Sequence, residues 1–369
     1  MNKAATRYKM FCAISPGLED LLEAELQALD LWERVRRVPG GCEVRCDPAG
    51  VWDLVLRTRL AESVRARVGN FKARNFDELR AGLARLPWSA WLPRNGRPEV
   101  RATCRKSKLW HSGAVQQRAQ QQIHDRLADP SSSAAPPSAR VYVRIDRDNV
   151  RVSVDASGER LHRRGERKAV GKAPMRETLA AAMLRAAGLP GDSTPLWDPF
   201  CGAGTLLLEA GRIAAGGLNP RADGYAFELW PTHDEHLYSA WTEDNLGLRA
   251  PTPPLFGSDI DPKEISAAER NLSSAALTAT LSCGDFEAVA PTIPLGADVV
   301  SNLPYGRRAP IGGMLRRLGR LLNRREDLSC WLLLGHEDHA KVISSRLEHK
   351  LTFRNGGLRV HLFHLPRRG

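Results

Sequence analysis

The chain is 369 residues long, enough for two or three domains that each bury a core, and carries a formal net charge of +12 from 54 Lys and Arg against 42 Asp and Glu. No apolar run reaches the ~20 residues of a membrane span, and the polar start Met1 to Lys9 lacks a signal peptide's apolar centre, so a cytoplasmic protein without a membrane partner is expected. Seven scattered cysteines argue against a disulfide framework.

In chain order, Leu18, Leu21, Leu22, Leu26 and Leu29 recur with helical spacing behind Ser15 and Pro16, a cap and a first-turn proline, and open a small α/β layer. Cys42 and Cys46 are the one close cysteine pair; without a second pair or a nearby His they suit packing in a small sheet rather than zinc, and no metal is expected. Asp129 to Ala139 reads as a surface loop by its Pro, Ser and Ala content. Val141, Val143, Ile145 and then Val150, Val152, Val154 give two strands turning at Asp148-Asn149, expected to close a sheet edge. Arg160, Arg163, Arg164, Arg167, Lys168 and Lys172 then crowd one stretch. They are candidate phosphate contacts or, equally, an exposed basic linker.

Charge divides at the same place. Residues 1–170 hold 32 Lys and Arg against 20 Asp and Glu, whereas residues 171–369 hold 22 of each. A basic front part suits a polyanion and a neutral rear part suits the chemistry performed on it, although an Arg-rich solvated face would give the same count.

From about Lys172 strand and helix patterns alternate, as a doubly wound α/β sheet requires, with strands expected near 196–200, 255–259, 279–283, 297–301 and 328–334. Between Ile213 and Ala250 an insertion carries Trp230, Tyr238 and Trp241, expected to pack rather than to stack on bases. Lys350 to Arg354, the turn Asn355-Gly356-Gly357 and Leu358 to Leu365 read as a hairpin that adds antiparallel strands.

Three strand ends and a fourth carry the chemistry. The apolar approach Pro195, Leu196, Trp197 runs into Asp198-Pro199-Phe200-Cys201-Gly202-Ala203-Gly204-Thr205, a glycine bend against which a cofactor can lie. No Lys follows the glycines, so the bend suits an amino acid end rather than a triphosphate. Asp259, at the tip of the next strand, is placed to accept ribose hydroxyls, with Ile260 against an adenine face; Asp285 is the candidate for the adenine amine and Phe286 for a second apolar wall. Asn302-Leu303-Pro304-Tyr305 ends the fourth strand. The Asn302 oxygen and a backbone carbonyl at Leu303 or Pro304 can accept both hydrogens of a planar amine, and the Tyr305 ring can stack on its base. That draws the nitrogen lone pair out of conjugation and aims it at a sulfonium methyl group, with no metal or covalent nucleophile required. Taken singly these are a strand-to-helix junction, helix caps with Asp261 before Pro262, and a proline turn. Their order and joint occurrence carry the reading.

These motifs, with Phe11 to Leu29, Cys104 to Arg118, Val154 to Lys168, Lys172 to Leu184 and Trp230 to Trp241, resemble the class I S-adenosylmethionine-dependent RNA methyltransferases with an N-terminal THUMP module. The resemblance covers nearly the whole chain and is strongest to the bacterial large-subunit rRNA guanine-N2 methyltransferases, with the tRNA guanine-N2 enzymes close behind. It implies a Rossmann-like methyltransferase sheet with a C-terminal antiparallel hairpin. It also implies a ferredoxin-like subdomain over 1–50, an RNA-binding THUMP domain over 51–158, a linker and catalytic-domain start over 159–185, and the methyltransferase domain over 186–369. The implied cofactor is S-adenosylmethionine and the implied partner a structured RNA, rRNA or tRNA, with no obligate protein partner. The rRNA enzymes usually show Asn-Pro-Pro-Tyr; Leu303 departs from this and is similar to tRNA-modifying relatives. Methylation of DNA amines or of a protein glutamine runs against the basic front part and the THUMP-like segments. A non-catalytic RNA-binding or ribosome-assembly factor runs against the intact Gly202, Gly204, Asp259, Asn302 and Tyr305.

Overall fold

In the computed structural model, residues 7–29, 34–129, 135–164, 175–191, 193–219, 221, 223–246, 251–304, 311–355 and 357–368 are described. The contacts sort the chain into two units: Met1–Ile14, Glu23–Leu161 and Pro220–Asn245 in the first, Ser15–Leu22, His162–Asn219 and Leu246–Gly369 in the second.

The first unit is built on β1 (Tyr8–Ala13), α1 (Glu19–Gln27, whose start clusters with the second unit), β2 (Arg36–Val38), β3 (Gly41–Cys46), α2 (Pro48–Leu56), β4 (Ser63–Lys72), α3 (Phe76–Ala84), β5 (Val100–Arg105), α4 (Ser112–Leu127), β6 (Val141–Asp146) and β7 (Asn149–Asp155). All seven strands join one sheet in the order β2-β3-β1-β4-β7-β6-β5. Side-chain alternation splits its two faces, although Phe11, Glu43, Ser153 and Asp155 on the second face are buried as well. Met10, Cys12, Val44, Val64, Ala66, Val143, Val152 and Val154 are buried on the face that the helices cover. The register places Lys9 beside Arg45, Phe11 beside Arg65, and Arg151 beside Arg144 on the opposite face. Cys42 and Cys46 are free thiols buried on β3.

Two expectations for this sheet change. The β6–β7 turn is centred on Arg147 and Asp148, at φ 51° and 62°, because Asp146 pairs with Asn149 and leaves a two-residue turn of left-handed backbone. Nor do β6 and β7 close the edge: β5 runs parallel to β6 on its outer side and is the edge strand. The insertion, including α7 (Glu235–Asn245), packs within this unit, with Trp230 edge-on to Trp91 at 4.9 Å and Trp52 at 5.5 Å from Tyr238 and 5.7 Å from Trp241.

The second unit continues with α5 (Glu177–Ala186), β8 (Leu196–Asp198), α6 (Thr205–Ala215), β9 (Leu255–Asp259), α8 (Pro262–Ser274), β10 (Thr280–Cys283), α9 (Phe286–Val289), β11 (Asp298–Asn302), α10 (Gly312–Arg324), β12 (Ser329–Leu334), α11 (Asp338–Ile343), β13 (Glu348–Asn355) and β14 (Leu358–Leu365). The strand order is β10-β9-β8-β11-β12-β14-β13, parallel from β10 to β12 and antiparallel through the C-terminal hairpin. β8 to β12 lie near their expected places, since parallel strands covered on both faces read as short apolar runs closed by Gly, Asp or Asn. Trp197, Val299, Leu332, Leu318 and Leu322 anchor the core against which α10 lays its leucines. Strand order reverses between β8 and β11, and in open α/β sheets a ligand crevice forms outside the strand ends at such a point.

Candidate active site

The turn after β8 is built on glycine because its backbone enters the left-handed region, which glycine adopts without strain. Gly202 and Gly204 sit at φ 51° and 78°, and a Cβ on Gly204 would lie 3.1 Å from that of Ala268 on α8. Buried Asn271, on the same helix, donates to the Ala203 carbonyl at 2.9 Å, and the Cys201 amide donates to the Ser258 carbonyl at 2.9 Å. The turn is thus clamped against β9 and α8.

Asp198 faces inward. It is 2% exposed, and its Oδ1 accepts from the Ser301 hydroxyl at 2.6 Å and the Phe200 amide at 3.1 Å. Burial pushes its carboxyl up to about 7, against the lowering effect of those two donors, and neighbouring Asp259 adds to the rise. This carboxyl group positions the turn and ties β8 to β11. Pro199 is buried and accepts from the Ser258 hydroxyl at 3.3 Å; Thr205 is buried at the start of α6. Cys201 is held as a thiol, burial foremost raising it and the two acids adding to the effect.

Asp259 is the outward acid. Its Oδ2 accepts from the Gly202 amide at 3.1 Å and its Oδ1 from the Asp261 amide at 2.9 Å, which fixes the carboxylate beside the turn. A carboxylate has about four acceptor positions, so lone pairs remain for hydroxyl donors. Ile260 next to it is 73% exposed, a large apolar side chain offered to solvent at the strand tip. Asp261 caps α8 by accepting from the Lys263 amide.

Asp285 caps α9, accepting from Glu287 N at 2.9 Å, and pairs with Arg317 at 2.5 Å. Partial burial raises its carboxyl, yet the Arg317 bond and the Glu287 amide outweigh this and hold it low. Phe286 is 3% exposed, with the Phe200 ring at 5.2 Å on one side and the Arg317 guanidinium at 5.1 Å on another. Phe286 therefore backs Phe200, and the half-buried Phe200 is the ring nearer the surface.

Asn302 ends β11 directly after Ser301. Among the described residues its Oδ1 is buried without a hydrogen-bond partner, a cost of about 1–3 kcal/mol unless a donor arrives. Leu303 is 1% exposed and held by its amide on the Leu333 carbonyl at 3.3 Å, while Pro304 is exposed. Tyr305 lies outside the described residues.

The basic stretch resolves differently. Arg163 is exposed, but Arg164 is 4% exposed, with its guanidinium 3.2 Å from Glu209 and bonded to Asn219 at 3.0 Å. It is a buried structural cation answered by an acid hidden in the apolar helix α6, not a phosphate contact. Arg167 and Lys168 lie outside the described residues.

Four residues of the site were not singled out from sequence: Ser258, Ser301, Asn271 and Arg317. The first three share a signal, a polar residue completely buried in an otherwise apolar strand or helix face. Ser258 and Ser301 each stand one position before the outward-facing Asp259 and Asn302.

Comparison with known proteins gives three family matches. Residues 164–360, more than half of the chain, match an RMKL-like methyltransferase domain; residues 9–65 match an RlmL ferredoxin-like domain, and residues 73–155 a THUMP domain. The ribosomal RNA large subunit methyltransferase K/L of Syntrophotalea carbinolica is 33% identical over 96% of this chain and 53% of its own length, so the chain spans about half of that relative. A Synechocystis protein named as an RNA methyltransferase is 29% identical over 96% of both chains. The crystal structure of the methyltransferase SMU.472 complexed with SAH shares the fold, with a TM-score of 0.88 and 23% identity over the full length of both chains.

Proposed function

We propose, from the premise that this chain belongs to the RMKL-like methyltransferase family, that it methylates the exocyclic N2 amine of a guanine in structured RNA, most readily 23S rRNA, using S-adenosylmethionine. The observation that carries the reading is the buried Asn302 Oδ1, without a donor among the described residues, at the end of the strand tied through Ser301 to the glycine turn. A buried acceptor with no donor is what an incoming amine would satisfy.

The residues fit the cofactor. The Gly202–Gly204 turn would lie along its amino acid end, Asp259 would take the ribose hydroxyls with its remaining lone pairs, and Ile260 with Phe200 would cover the adenine. When bound, S-adenosylmethionine supplies a methyl group already activated on sulfur. The chain's own part is positioning: Asn302 accepts one amine hydrogen and the Leu303 carbonyl the second, which localises the nitrogen lone pair in the direction of attack. The base-stacking role stays with Tyr305 on the sequence argument alone. The guanine must leave its stack to reach these acceptors, and the amine proton is released to solvent after transfer. The THUMP match and the cation-rich front sheet support RNA as the substrate, and the names of the two relatives support rRNA or another RNA. Leu303 favours tRNA as the second reading.

The test is incubation of the purified chain with labelled methyl donor and separate 23S rRNA and tRNA from cells lacking the gene, followed by nucleoside analysis. N2-methylguanosine in the rRNA is expected. Label in tRNA alone would move the reading to its second form, and label in neither would end it.

A further inference from the structure

The face of the front sheet turned away from its helices contains a cleft of about 300 Å³ lined by Lys9, Arg36, Glu43, Arg67, Asn70 and Arg151, together with Val68 and Gly69. Its single acid is oversubscribed. Glu43 is bonded to Arg36 at 2.5 Å and to Arg67 at 3.2 Å, with Lys9 at 3.3 Å, and it is 6% exposed. Arg67 is fixed further by its bond to the Ser153 hydroxyl at 3.1 Å and by the Phe11 ring 4.0 Å beneath its guanidinium. Arg151 stands exposed beside it, and among the described residues no carboxylate answers it. Burial foremost, and then this neighbouring cation, lower Arg67 to about 10 despite Glu43.

Four cations around one carboxylate leave a local excess of positive charge, with Arg67 held in place and Arg151 exposed beside it. An anion seated between them would satisfy both. The pairing also slips between Arg67 and Gly69, so β4 carries a bulge at the cleft, a device that turns strand side chains toward a site. The same face of the sheet also carries Arg45, Arg101, Arg105 and Arg144, all of them exposed.

We infer that this cleft binds a backbone phosphate of the RNA substrate, with Arg67, Arg151 and Lys9 as donors and Glu43 as the brace that holds them together. The inference rests on the proposed action on RNA. It puts the grip on the β1–β3–β4–β7 part of the sheet rather than on the basic stretch after β7.

The experiment uses the full chain carrying Arg151→Gln, Lys9→Gln or both, with Arg80→Gln on the outer side of α3 as the control. Binding of a 23S rRNA stem-loop transcript is measured against salt concentration, and S-adenosylmethionine affinity by calorimetry reports an intact second unit. Each lost phosphate contact is expected to flatten the log–log salt slope by about 0.7–0.9 and to weaken binding roughly tenfold at low salt, with Arg80→Gln unchanged. Unaltered slope and affinity in the double variant, in a chain that still binds the stem-loop, overturns the cleft and leaves the proposed function standing. A wild-type chain with no affinity for the stem-loop overturns both. Inorganic phosphate that binds wild type and not the double variant, without any difference in RNA affinity, identifies a free-anion site and also overturns the inference.

Discussion

The two sheets handle charge in opposite ways. In the methyltransferase unit the decisive charged and polar groups lie inside and are answered by the protein: Asp198 by Ser301 and the Phe200 amide, Arg164 by Glu209 and Asn219. In the front unit cations gather on one face of the sheet, where Glu43 serves three of them and Arg151 is answered by no acid among the described residues. Buried charges must be paired within the fold, so they position backbone; exposed surplus charge is stabilising only when something outside arrives. The first arrangement makes a rigid edge for chemistry and the second a surface for a polyanion.

The contrast is sharpest in a pair of substitutions. Glu209→Ala strands the Arg164 guanidinium in the core and should cost about 3–5 kcal/mol in urea unfolding, whereas Arg144→Gln on that face of the front sheet should stay within about 0.5 kcal/mol. Equal costs would break the distinction between the two regions.

Asp198 extends it to pH. A carboxyl raised to about 7 in the folded state keeps a proton that the unfolded chain releases near its ordinary ~3.9. Its contribution to stability is therefore complete below about pH 4 and is lost as pH rises through about 7, a change of roughly 4 kcal/mol. Asp198→Asn should remove that part of the pH dependence, so stability curves for variant and wild type diverge between pH 4 and 7. Parallel curves would show the group to be ionised throughout.

A smaller effect is expected at the turn. Gly204→Ala places a side chain on left-handed backbone and against Ala268, which should cost about 1–2 kcal/mol by the same unfolding measurement. A neutral outcome would mean that the turn is not clamped against α8.

The same contrast explains what could be read in advance. The second sheet was legible because each parallel strand is a buried apolar run ending in its functional residue, so Asp259 and Asn302 are marked by position. The braces were not, since Ser258 and Ser301 look like neutral interruptions until their partners Pro199 and Asp198, 59 and 103 residues away in sequence, are placed opposite them. Arg164 read as surface because its neighbours in sequence are basic; only the fold brings Glu209 to it. The cleft of the front sheet was least legible of all. Its residues come from β1, β2, β3, β4 and β7, and alternation says that Lys9 and Arg151 face outward without saying that they face each other's neighbours. The β6–β7 turn was misplaced by one residue because Asp148-Asn149 has the better turn chemistry, while pairing of Asp146 with Asn149 forces Arg147 into a conformation that arginine seldom takes.

The account depends on the Asn302 oxygen waiting for an amine. Single-turnover methyl transfer by Asn302→Ala, with donor affinity measured on the same preparation, tests it most directly. Loss of about 10²–10³-fold in rate with donor affinity within a few-fold of wild type is the predicted result. Transfer at the wild-type rate would contradict it, because the buried acceptor would then have no part in readying the amine.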